Sequence, residues 1–98
     1  MNRLPPIHPG EILYQEFLLP LDITPYGLAK EIGVEARRIH GIVRAQRSFT
    51  AETALLFSRY FGNSAEFWMG LQNQYDLESA EDRLSKKLDE VVAYSSGE

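Results

Sequence analysis

Arg37, Arg38, His40, Arg44 and Arg47 fall within eleven consecutive residues, and only Glu35 opposes them nearby. A guanidinium can donate two parallel hydrogen bonds to O6 and N7 of guanine, which discriminates against a wrong base by about 1–3 kcal/mol. Arginines also neutralise backbone phosphates, a contact that fixes register without reading sequence. Arg37 and Arg38 would open a helix, the end that usually meets base edges. With His40, and with Gly41 allowing a close approach, they form the expected base-contact set. Arg44, Gln46 and Arg47 follow in a loop, where phosphate contacts are expected. Thr24 and Tyr26, at the start of the preceding helix, complete the phosphate set. The plain alternative is that these are solvated surface charges.

Two short helices must position such a set. Thr24 is placed to cap the first of them, with Pro25 at its first position. Leu28, Ala29 and Ile32 would line its inner side, and Gly33 supplies the backbone freedom of a left-handed turn. Val34, Ile39 and Ile42 then give the inner stripe of the second helix, from about Glu35 to Arg44, and leave the basic residues outside. This is the helix-turn-helix arrangement, in which one helix braces and the next enters the major groove. A structural helical hairpin fits the same spacing.

The rest of the chain also reads as helix. A first helix should begin near His8 or Pro9 and carry Ile12, Leu13 and Phe17 until Pro20 stops it. His8, before Pro9 and Gly10, is expected to cap or pack. Thr50 would cap a fourth helix ending at Gly62, and Ser64 a fifth bearing Phe67, Trp68, Leu71 and Tyr75. The aromatics are core and shell residues first, with Tyr60 and Trp68 expected to be partly exposed. After Tyr75, Ala80, Leu84, Leu88, Val91 and Val92 form a narrow apolar stripe on an otherwise charged helix. That stripe either packs back on the body or projects toward a second subunit or partner. The expected architecture is all-α: a five-helix DNA-binding domain over residues 1–75, then a helical extension and frayed tail over 76–98.

Composition narrows the chemistry. The 98-residue chain has room for one domain, and its net charge is −4. That total divides unevenly. Residues 35–47 hold four arginines against one glutamate, whereas residues 76–98 hold seven acids against three bases. A local basic patch makes phosphate contacts whatever the overall charge. The absence of cysteine excludes disulfides, thiolate metal sites and cysteine nucleophiles. The two histidines have no metal-ligand spacing, no glycine-rich loop can cradle a phosphate, and the serines have no neighbouring base. No catalysis, cofactor or metal is therefore expected. Without a signal-peptide pattern or a long apolar run, a cytoplasmic protein is the simplest fit.

Several segments together resemble the HigA-type antitoxins, some of them named virulence-associated protein I. They are His8-Pro-Gly-Glu-Ile-Leu13, Glu16-Phe-Leu18, Leu28-Ala-Lys30 with Gly33-Val34, Thr50-Ala-Glu-Thr-Ala-Leu55, Arg59-Tyr-Phe-Gly62 and Glu66-Phe-Trp68. The resemblance runs from about His8 to Leu77 and implies a helix-turn-helix fold of the phage-repressor class. It further implies a homodimer that binds a palindromic operator in its own promoter. It implies, too, a small partner toxin, usually a messenger-RNA endonuclease of the RelE fold, neutralised by stoichiometric binding. The chain departs from the family at two places. Glu35 stands where a serine or threonine usually caps the recognition helix. Arg44-Ala-Gln-Arg47 replaces a loop usually reading Asn-Gly-Lys-Arg, so that Ala45 takes a glycine position. A regulator of the same fold without a toxin, and an interaction module that has lost DNA binding, are the alternatives.

Overall fold

The computed structural model describes residues 4–95, and among these the regular structure is entirely helical. Helix α1 spans residues 9–21. It opens at Pro9–Ile12, widens into a π turn over Leu13–Leu18, and closes at Leu19–Leu21. Then come α2 (Pro25–Ile32), α3 (Ala36–Val43), α4 (Ala51–Phe61) and α5 (Ala65–Glu90).

Local signals account for most of these boundaries. Side chains of His8, Thr24, Thr50 and Ser64 accept backbone N–H groups at the starts of α1, α2, α4 and α5. Gly33 and Gly62 both adopt φ of 76° and end α2 and α4, a conformation in which a Cβ would be strained. Pro20 does not stop α1 as expected. It sits in the last turn, and the helix ends at Leu21, with Asp22 left-handed at φ 57°. The π turn explains the tolerance. Leu19 N–H reaches back five residues to the Tyr14 carbonyl, and this widening displaces the carbonyl that the Pro20 ring would otherwise strike. It also swings Leu13 and Leu18 toward one face, where both are fully buried. In a regular α-helix, residues five apart point about 140° away from each other.

The core joins Leu13 and Leu18 of α1 to Leu28, Ala29, Ile39, Ile42, Ala54 and Phe57, with Phe49 from the α3–α4 loop. Trp68 lies at its centre. Its ring stacks on Phe49 at 5.2 Å, meets Phe57 edge-on at 5.3 Å, and packs against Phe17 at 4.8 Å. The indole N–H donates to Asn63 Oδ1 at 2.9 Å, so the one polar atom is satisfied. Trp68 is 0% exposed, which overturns the expected partial exposure, whereas Tyr60 is 41% exposed.

Helix α5 continues unbroken past Tyr75 and leaves the body. Every described residue from Glu81 to Ser95 is exposed, and the molecule measures 57 × 30 × 21 Å. The extension therefore does not pack back. Leu84 and Leu88 are its only large apolar side chains within the helix after Leu77, too few to bury a charged helix along its length. Val91 and Val92 lie beyond the helix end, so the expected stripe is shorter than its sequence suggested.

Candidate nucleic-acid interface

Helices α2 and α3 pack as a pair across Gly33, with Leu28 and Ala29 facing Ile39 and Ile42 in the core. The outer surface of α3 is what this packing leaves over. Arg37, His40, Gly41, Arg44, Gln46 and Arg47 line one shallow concavity between α3 and the loop after it. Arg37 and Arg44 are exposed, and His40 is half-buried beside them.

The two ends of α3 are held differently. At its start Glu35 has cap-like backbone angles but makes no side-chain capping bond. Its carboxylate instead accepts a hydrogen bond from Arg37 Nε at 3.0 Å. Both partners are more than 70% exposed, so the pair contributes little stability. Arg37 keeps its two terminal guanidinium nitrogens for another acceptor. Arg38 turns elsewhere. Its Nη1 lies 3.9 Å from Glu52 Oε1 at the first turn of α4, and its side chain lines a second depression with Arg47, Ser48 and Thr50.

At the other end the chain folds back sharply. Ala45 adopts φ of 62°, so this alanine keeps the left-handed conformation that suits glycine, at a cost of roughly 1–2 kcal/mol. The Gly41 carbonyl accepts the N–H of Gln46 at 2.8 Å and that of Arg47 at 3.1 Å. The Arg47 stem lies across Gly41, where an added Cβ would come within 2.9 Å of its Cγ and Cδ. Gly41 is thus buried and serves as the seat of the loop. Thr24 and Tyr26 stand outside the concavity at the start of α2. Thr24 is exposed but its Oγ1 is engaged by Gly27 N–H at 2.9 Å, and Tyr26 is 64% exposed.

Gln72, away from the helix pair and in no motif of the sequence, bonds this loop. Gln72 of α5 is 3% exposed; its Oε1 accepts Phe49 N–H at 2.8 Å, and its Nε2 donates to Asp76 Oδ1 at 2.9 Å. His8 Nδ1 accepts Gly10 N–H at 2.9 Å, while the ring meets Tyr75 edge-on at 4.8 Å. Burial lowers the His8 pKa below its ordinary 6.5, opposed by the negative charge of Asp76 and by the Arg47 backbone. Gly10 rests directly on the Ile42 carbonyl, where a side chain would collide. The position of Gln72, one turn beyond Trp68 on the inward face of α5, is the signal that marks it as a buried polar residue needing a partner.

No described helix is long and apolar enough to cross a membrane, and the described residues hold no group of three His, Asp or Glu side chains able to bind a metal. A braced, basic recognition helix with an anchored loop defines the class: a helix-turn-helix DNA-binding protein. No protein-family model matches the chain. Over 80 residues it is 50% identical to virulence-associated protein I of Dichelobacter nodosus, covering 82% of this chain and 74% of that one. It is similar to Pseudomonas aeruginosa antitoxin HigA, solved with the higBA promoter, at a TM-score of 0.86 and 44% identity over 90% and 96% of the two chains. An addiction-module antidote protein of the HigA family from Coxiella burnetii gives a TM-score of 0.87 at 37% identity over 94% and 100%. The chain belongs to the HigA antitoxin family.

Proposed function

We propose that this protein is the antitoxin and autorepressor of a toxin–antitoxin pair. It binds its own operator as a dimer and neutralises a partner messenger-RNA endonuclease of RelE-like fold by stoichiometric binding in the cytoplasm. The observation that carries the DNA half is the concavity that gathers Arg37, His40, Arg44, Gln46 and Arg47 on one face of α3 and its loop. Arg37, with its terminal nitrogens free of Glu35, reads a base, aided by His40. Arg38 joins it by releasing Glu52. Arg44, Gln46 and Arg47 hold phosphates, and Thr24 and Tyr26 meet the backbone on the other side of the groove. Gly41 acts by its lack of bulk. The Pseudomonas relative solved with promoter DNA supports this reading.

A dimer would place two recognition helices about one DNA turn, roughly 34 Å, apart. The projecting end of α5, with Leu77, Leu84 and Leu88 exposed, is the surface proposed to bring two copies together. Residues 1–75 then form the DNA-binding unit and 76–98 the extension. Repression and toxin capture are both stoichiometric, so no catalytic residue is required.

Fluorescence anisotropy of the protein against its upstream promoter duplex and a scrambled duplex, at two salt concentrations, tests the reading. Tight, salt-sensitive binding that prefers the promoter supports it, and equal weak binding to both duplexes refutes it. A small basic protein encoded beside the gene and retained by the purified antitoxin supports the toxin half. Its absence leaves a stand-alone regulator. Truncation after Tyr75 tests the extension: an unchanged sedimentation profile removes it from the dimer interface.

A further inference from the structure

We infer that Gln72, which lies outside the helix-turn-helix, is a positioning residue for DNA binding: it sets the geometry of the loop that carries Arg44, Gln46 and Arg47. The inference rests on the proposed DNA-binding reading and adds a residue that no groove contact would reveal. The loop spans residues 44–50. Carbonyls of α3 hold its first amides, from Arg44 to Arg47, and Gln72 accepts the Phe49 amide. The first set is internal to the helix-turn-helix, whereas the Gln72 tie comes from the middle of α5. Asp76 completes the chain by accepting from Gln72.

The need for an outside tie follows from the loop itself. Ala45 holds a left-handed conformation unfavourable for a residue with a Cβ, so the loop left alone would relax away from this shape. Arg44, Gln46 and Arg47 are exposed. The buried hydrogen bond from α5 holds the far end of the turn. A loop fixed before binding loses less conformational freedom when its arginines meet phosphates, so this tie acts on affinity without touching DNA.

Gln72→Leu removes the acceptor for Phe49. Gln72→Glu combined with Asp76→Asn keeps the total charge and rebuilds the Phe49–72–76 chain, with the last hydrogen bond reversed.

Each variant is assayed by anisotropy on the promoter and scrambled duplexes over a salt series, well below the lowest melting temperature measured for the set. Gln72→Leu is expected to weaken binding to both duplexes about fivefold and to shallow the salt slope by about one, with promoter preference retained. The double exchange is expected to recover the wild-type slope. A purely structural role would lower melting temperatures and leave the slope of the folded proteins unchanged, and that result overturns the inference. Wild-type protein that binds neither duplex would overturn the DNA-binding reading itself, a failure distinguishable because it appears before any substitution is made.

Discussion

The two ends of helix α3 present opposite solutions to holding a basic side chain. The N-terminal end lacks a side-chain cap, and Arg37 is tethered only by an exposed bond to Glu35. The C-terminal end is anchored by the Gly41 carbonyl and by a buried bond from Gln72, with Gly10 pressed against Ile42. An exposed ion pair is worth at most about 1 kcal/mol, whereas a buried polar group left without its partner costs about 1–3 kcal/mol. One end can therefore rearrange, while the other keeps its shape. On the proposed DNA-binding reading, adaptability falls where a base would be read and rigidity where phosphates would be held.

The anchored end should break most severely. Gly10→Ala drives a methyl into the Ile42 carbonyl and is expected to destabilise the fold by about 3 kcal/mol, read as a lowered midpoint in chemical denaturation. A change below about 1 kcal/mol would show that α1 can move off α3 freely and that the anchor is soft. Next comes the adaptable end. Arg37→Ala is expected to leave stability within about 0.5 kcal/mol of wild type yet to cost about 1–3 kcal/mol of preference for promoter over scrambled duplex. Arg38→Ala should cost less preference, because that side chain must first leave Glu52. Equal effects would erase the distinction between the two arginines.

Glu35→Ser sharpens the comparison by exchanging one kind of hold for the other. A serine cap should raise stability by about 1 kcal/mol in thermal melts. Loss of the carboxylate should also strengthen binding to scrambled duplex and narrow the preference for the promoter. The smallest effect is a pH dependence at the anchored end. His8 has a folded-state pKa below its unfolded 6.5, so the unfolded chain binds the proton more readily. Its contribution is fully present above 6.5 and declines as pH falls through 6.5 toward the lower folded value. Protonation also turns the Nδ1 acceptor into a donor facing Gly10 N–H. Denaturation midpoints across that range should show a decline that His8→Asn abolishes, and an identical decline in the variant would assign it to other groups.

Much of this protein was legible in its residues alone. Thr24 with Pro25, Gly33, Thr50, Gly62 and Ser64 mark helix ends because capping acts over two or three residues, well within the reach of local sequence. The basic segment 37–47 and the inward stripe of Ile39 and Ile42 follow from helical periodicity in the same way. Tertiary structure alone decided that Trp68 lies at the centre of the core, that Pro20 rides on a π turn, and that Arg38 leans to Glu52 while Arg37 stays with Glu35. It also decided that Gly41 sits beneath Arg47, that Gln72 reaches Phe49, and that α5 projects instead of folding back. Each of these depends on which surfaces meet across long stretches of chain, and short-range propensity carries no information about that.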